Sequence, residues 1–247
     1  MGRQARQKSG SGYYHVICRG IGRQLLFEEK EDYLHCLGTL ERYAAGNGAV
    51  LIAYCLMSNH IHLIVHAQHD LDRYMKQVLV SYAQYYNLKY DRVGHLFQNR
   101  YQSMPIEEES YLLQAVRYVH NNPQRAGIGQ RESYPWSSYG QYEGRAGICD
   151  TSLILGIIGG EEAFCAFSLQ EEGEYRAPSG MQEKVSDEEA RRILLEEMQL
   201  SSGTQLQQMD RESRDAALTR LRAFGLTVRQ IERLTGINRG VIQRMKL

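Results

Sequence analysis

Two histidines two residues apart, His60 and His62, and a tyrosine and an amide four residues apart, Tyr118 and Asn122, have the types and spacing of a reactive site. The first pair lies in Tyr54-Cys55-Leu56-Met57-Ser58-Asn59-His60-Ile61-His62-Leu63-Ile64-Val65, which reads as strand. Alternate strand positions share a face, so His60 and His62 point together while Ile61 points into the core. Positions i and i+4 of a helix also share a face, which unites Tyr118 with Asn122. One divalent ion held between those faces, beside a phenol, is an arrangement for phosphoryl transfer. Two imidazoles and an amide oxygen leave room for a phosphate oxygen, and mixed nitrogen and oxygen ligation suits Mg or Mn better than a closed zinc site. A phenol with a free pKa of about 10 is a weak nucleophile. In-line positioning and a cation that offsets phosphate charge compensate for that. The product, a covalent phosphotyrosine, conserves bond energy for a second transfer, so the same chemistry cuts and rejoins.

These side chains require a rigid frame. Residues 13–18, 49–56 and 60–65 read as strands, with a short turn at Ser58-Asn59, and 100–106 as a fourth strand interrupted by Pro105. Apolar spacing predicts helices over 32–45 and 71–86, and a third over 107–121 that opens on acids and stops at Asn122-Pro123. The order strand-helix-strand-strand-helix-strand predicts an α+β fold: a ferredoxin-like split βαβ antiparallel sheet with helices on one face. The Tyr118 helix would lie against it. Beyond Gly144, 151–169 reads as one or two short helices around Gly159-Gly160, 171–186 as a linker, and 187–198 and 211–224 as helices. The domain plan is a catalytic domain over 1–148, a helical connector and linker over 149–186, and a C-terminal all-α domain over 187–247.

Several separated blocks occur in an order that resembles the single-tyrosine HUH transposases, in particular the REP-associated tyrosine transposases. They are Tyr14-His15-Val16-Ile17-Cys18-Arg19-Gly20, Ala53 to His62, Gly94-His95-Leu96-Phe97-Gln98-Asn99-Arg100-Tyr101, Arg117-Tyr118-Val119-His120-Asn121-Asn122-Pro123-Gln124-Arg125-Ala126-Gly127, and Tyr134-Pro135-Trp136-Ser137-Ser138-Tyr139. The resemblance spans about 13–142. It implies that His60 and His62 are a metal-ligand pair, Asn122 the third, amide-type ligand and Tyr118 the nucleophile. It also implies cleavage of single-stranded DNA near an imperfect hairpin, leaving a 5′-phosphotyrosine and a free 3′-hydroxyl that later rejoins. Gln124 stands where valine is frequent, a surface change. Tyr111 and His120 are the competing side chains on the helix, and His66, about 13 Å beyond His62 at strand rise, is too far to share its ion.

Formal net charge is zero, with 29 basic and 29 acidic residues, yet the charge is segregated along the chain. Residues 1–27 hold no acid, the last stretch from Arg211 is basic, and acids crowd between them. Such segregation permits two basic surfaces on a neutral protein. Arg19, Arg23, Arg100 and Arg125 are candidate phosphate contacts. Residues 227–245 resemble a helix-turn-helix: Thr227 and Gln230 as a capping box, Gly236 at the turn, Asn238 as the second cap, and Ile231, Leu234, Ile237 and Ile242 as core. Arg239, Gln243 and Arg244 would then face a DNA groove, with duplex contact by the tail. Glu232 stands where a small residue is usual before the turn. Five cysteines without CxxC spacing read as free thiols of a cytoplasmic protein, and no apolar run is long enough for a membrane span. A homodimer is compatible with all of this. Two rivals remain at this stage: a non-catalytic DNA-binding regulator keeping the fold, and a metal-dependent nuclease that uses water.

Overall fold

The computed structural model describes residues 6–68, 70–170, 175, 190, 193–194, 203–224 and 226–244. The chain divides into two compact units, Met1–Pro178 and Ser179–Leu247. In the first, β1 (Tyr13–Arg19), α1 (Lys30–Ala44), β2 (Ala49–Met57), β3 (His60–Ala67), α2 (Leu71–Lys89) and β4 (Gln102–Ile106) follow the expected order. They build one antiparallel four-stranded sheet ordered β2-β3-β1-β4, the ferredoxin-like arrangement. Pro105 does not interrupt β4. It pairs with Tyr14 on an edge strand, where a missing ladder donor is tolerated.

The period of two along β3 separates the two layers. Ile61, Leu63 and Val65 join Val16, Leu56 and Cys18 beneath α1 and α2, whose Cys36, Leu40, Tyr74, Met75, Val78 and Tyr82 complete that core. The opposite parity, with Ile64, Ile52, Cys55 and Ile106, meets a third helix, α3 (Glu109–Arg125), through Leu112, Ala115, Val116 and Val119. The sheet is therefore covered on both faces, α3 taking the side that carries His60 and His62. An irregularity between Leu51 and Ala53 lets β2 place both Ile52 and Ala53 on the α3 side.

β2 is an edge strand, and the segment around Tyr134–Tyr142 covers it. Leu56 N–H donates to Trp136 O (2.8 Å), Tyr54 N–H to Ser138 Oγ (2.9 Å), the Tyr134 hydroxyl to Leu56 O (2.8 Å) and the Tyr142 hydroxyl to Ile52 O (2.9 Å). The block Tyr134 to Tyr139 thus satisfies backbone groups that an open edge would expose. Two short helices follow, α4 (Ser152–Ile158) and α5 (Glu161–Leu169), divided at Gly159-Gly160 as expected. Among the described residues no single helix is long and apolar enough to cross a membrane. Cys18, Cys36, Cys55, Cys149 and Cys165 are all free.

The second unit has its own core of Leu206, Leu218, Leu221, Leu226, Ile231, Ile237 and Ile242. Its described helices are α6 (Arg211–Ala223), α7 (Val228–Thr235) and α8 (Arg239–Gln243). Most of the predicted helix 187–198 lies outside the described residues, although Ala190, Ile193 and Leu194 belong to this core. Thr227 and Gln230 form the capping box, Gly236 takes φ 70°, and Asn238 Oδ1 accepts from Gly240 N–H. Glu232 has a use the sequence did not suggest: its Oε1 accepts from Arg239 N–H (3.2 Å) and so holds the second helix's start against the first.

Candidate active site

β3 is a central strand, and its pleat presents His60 and His62 together on the α3 face. Their ring centroids are 5.0 Å apart. Met57 and Arg19 flank His60 in the sheet, and Cys55 and Ile17 flank His62. Tyr118 comes down from α3, its ring 5.8 Å from that of His62. It is 5% exposed. Tyr118 thus lies beside the ring of His62, which in turn lies beside that of His60.

The predicted stop of this helix at Asn122-Pro123 is corrected: α3 runs on to Arg125 with Pro123 inside it. Proline cannot donate to the carbonyl four residues back, Val119 O. The Asn122 side chain supplies the donor instead, its Nδ2 bonding Val119 O (3.2 Å) and Tyr118 O (2.9 Å). That local repair also fixes the amide's orientation. With the nitrogen committed to two carbonyls, Oδ1 is left buried without a partner. His60 is in the same condition, its Nδ1 meeting Asn59 Oδ1 at 2.7 Å while its Nε2 is buried and unpartnered. An orphaned imidazole nitrogen and an orphaned amide oxygen are what a mixed nitrogen and oxygen cation site requires. Among the described residues no three His, Cys, Asp or Glu side chains are grouped to hold a metal by themselves, so a third protein ligand would be the amide.

The electrostatics favour neutral imidazoles. Burial lowers His60 to about 3, helped by the charge of Arg19. His62 is held well below the usual range by burial, then by His60, His15, Arg19 and Arg125. A metal ligand must be unprotonated, and these are.

The candidate phosphate contacts divide. Arg19 ends β1, half-buried and opposite His60. Arg125 is exposed in the last turn of α3, its guanidinium 4.8 Å from the Tyr118 ring centre. Arg100 is exposed just before β4. Arg23 closes a 3-10 turn, and its side chain lies outside the described residues. Arg239, Gln243 and Arg244 are exposed in the second unit while Ile242 between them is buried, the pattern expected of a presented helix face. Gln124 is exposed, as a surface change should be.

Two side chains at the site were not singled out from sequence. His15, on β1, places Nε2 3.0 Å from His62 Nδ1. Tyr175, inside the predicted linker, bonds His15 Nδ1 at 2.7 Å and sets its ring 5.0 Å from Tyr118 and 4.7 Å from Tyr111. His66 packs on Tyr13 instead, away from the pair. His120 and Asn121, though neighbours of the reactive residues, brace the helix. Asn121 Oδ1 accepts from Arg131 (2.7 Å), and His120 Nε2 meets Ser138 Oγ (2.8 Å) among Tyr139, Tyr142 and Phe164.

His120 carries a pH prediction. Burial, then Arg131, lowers its pKa to about 3, and its Nδ1 is buried without an acceptor for a second proton. The unfolded chain takes that proton near pH 6.5, so it binds more protons than the fold does between about 6.5 and 3. Stability should therefore fall with pH across that window, by up to about 1.4 kcal/mol per pH unit for each such histidine. Denaturant unfolding in EDTA at pH 7, 6 and 5 should show His120→Gln flattening the dependence by about one proton. An unchanged slope would contradict the assignment.

Comparisons with known proteins bear on the fold and on the segment that carries these residues. The family model described as "Transposase IS200 like" matches residues 8–122. The structure of a REP-associated tyrosine transposase bound to a REP hairpin superposes with a TM-score of 0.55 at 14% identity, covering 75% of this chain and 100% of that one. At that identity the likeness concerns the fold. A protein of Deinococcus radiodurans R1 described as a transposase gives a TM-score of 0.34 at 23% identity, over 49% of this chain and 97% of its own. No curated protein matches. Over residues 8–122, just under half of its length, this chain is similar to the IS200-like transposase family.

Proposed function

We propose that this chain cleaves and rejoins single-stranded, hairpin-associated DNA through a covalent 5′-phosphotyrosine on Tyr118, in a metal-dependent reaction. The observation that carries this reading is the run of three neighbouring rings, His60 to His62 to Tyr118, on the strand and helix that also hold two buried atoms without partners, His60 Nε2 and Asn122 Oδ1. His60, His62 and Asn122 would hold Mg or Mn, which when bound offsets charge on the scissile phosphate and activates it toward attack. Tyr118 Oη gives up its proton and bonds to phosphorus as the P–O3′ bond breaks, and the leaving 3′ oxygen takes up one proton in exchange. The reverse step, attack by a 3′-hydroxyl on the phosphotyrosine, restores the phenol. Arg125 lies over the Tyr118 ring and Arg19 is the cross-strand partner of His60, which supports reading both as contacts to phosphate oxygens.

The test is incubation with Mn or Mg and labelled single-stranded hairpin oligonucleotides. An adduct that survives SDS and disappears with EDTA is expected. Cleavage without adduct would favour the water nuclease, and neither product the non-catalytic regulator.

For the second unit the proposal is duplex contact through Arg239, Gln243 and Arg244. Replacing Arg239 and Arg244 by alanine should weaken duplex binding across all sequences. It should also lower the slope of log affinity against log salt by about 1 for each phosphate no longer neutralised. Fluorescence anisotropy at several salt concentrations reads both, and unchanged affinity would reject that role.

A further inference from the structure

His15 is fully buried and lies two residues along β1 from the direct cross-strand partner of His62, Ile17, on the same sheet face. That diagonal position brings the rings within reach, and His15 Nε2 sits 3.0 Å from His62 Nδ1. Two imidazole nitrogens at this distance share one proton, so one of them donates and the other accepts. For His62 to offer Nε2 to a cation, its Nδ1 must carry the proton and donate it. His15 Nε2 is then the acceptor, and His15 Nδ1 carries the second proton toward the Tyr175 hydroxyl, 2.7 Å away. The whole chain of bonds has one polarity.

We propose that His15 is a positioning residue for the metal-ligand pair: through this single bond it selects the His62 tautomer whose Nε2 is free and holds the ring in its ligating orientation. The inference rests on the metal-site reading above and adds to it a residue that touches neither ion nor DNA. The hydrogen-bond partner of a ligating histidine is more often a carboxylate or carbonyl, and its loss typically costs about 10–100-fold in metal affinity. A neutral histidine serves here because the site is buried. A carboxylate in its place would have to be desolvated beside Tyr118 and Tyr175.

Mn affinity of the full-length chain without DNA, measured by titration calorimetry, tests the proposal in four proteins: wild type, His60→Ala, His15→Leu and His15→Gln. His15→Leu should bind Mn about 10–100-fold more weakly than wild type. His15→Gln, whose amide oxygen can accept from His62 Nδ1, should recover most of the loss. Wild-type affinity in His15→Leu, with binding lost in His60→Ala, overturns the role of His15 and leaves the metal site standing. Wild-type affinity in His60→Ala removes the two-histidine site itself, and this proposal with it. Should His15→Leu fail to fold, the 15N-labelled wild-type protein with Mg decides. A scalar coupling across the bond from His62 Nδ1–H to His15 Nε2 is expected. A proton on His62 Nε2, or no coupling, overturns the inference.

Discussion

Replacing Tyr118 by phenylalanine is expected to abolish both strand cleavage and the covalent adduct, by at least about three orders of magnitude, as loss of a nucleophile does elsewhere. The substitution deletes one oxygen and keeps the ring. The edge contacts with His15 and His62, at 5.7 and 5.8 Å, and the Arg125 guanidinium at 4.8 Å involve the ring face and edge, so folding and hairpin binding should survive. That separation makes the result diagnostic. Loss of chemistry with retained binding is the outcome for a tyrosine nucleophile, whereas retained cleavage would mean that water attacks. Tyr111, on the same helix, should not substitute, because its ring is turned to Tyr175 and its hydroxyl toward Met104.

A large loss of stability from a single polar side chain is expected at Asp32, away from the candidate site. Its carboxylate is fully buried at the start of α1. It accepts from the backbone N–H of Glu28 (2.8 Å) and Glu29 (3.0 Å), from the hydroxyls of Tyr85 (3.0 Å) and Tyr90 (2.7 Å), and from Lys89 (2.7 Å). One side chain thus caps α1 and ties it to the end of α2. Burial alone would raise its pKa, but the bonds from Lys89, Tyr90, Glu29 and Glu28 outweigh burial and lower it to about 2. Asp32→Ala should cost about 3 kcal/mol, a lost cap together with buried donors left unpaired. The sign with pH follows from the depressed value. The contribution is complete above the unfolded carboxyl pKa of about 3.9 and is lost as pH falls through about 2. Equilibrium unfolding of Asp32→Ala against wild type at pH 7 checks it, and a difference within about 0.5 kcal/mol, the range of ordinary surface changes, would contradict it.

Much of this architecture could be read from the residues, for reasons that differ between elements. Alternation in His60-Ile61-His62-Leu63-Ile64-Val65 places the histidines on one face whatever the strand's neighbours, so the pair was legible. His15 was not. Its approach to His62 depends on which strands pair and in what register, and nothing local to Tyr14-His15-Val16 specifies either. Tyr175 was hidden for a similar reason: it reaches the site from a segment whose composition reads as linker. Asn122-Pro123 is ordinarily a helix stop, because proline disfavours helical geometry in the residue before it and leaves the carbonyl four residues back without a donor. Here the asparagine repairs it, and the same two bonds turn Oδ1 free. His120 and Asn121 show the opposite difficulty. They stand beside the reactive residues in the sequence, yet their bonds to Ser138 and Arg131 make them braces of α3. In the second unit the caps at Thr227 and Asn238 were legible because capping is local, while Glu232 needed its partner, Arg239, to be explained.

The most direct measurement is the chemical location of the bond to DNA. After reaction with a single-stranded hairpin oligonucleotide and Mn, tryptic digestion should release Tyr118-Val119-His120-Asn121-Asn122-Pro123-Gln124-Arg125, a peptide holding one tyrosine. Mass spectrometry should find the nucleotide 5′-phosphate on that peptide. Attachment instead to the preceding peptide, which holds Tyr101 and Tyr111, or cleavage with no peptide modified, would contradict the account.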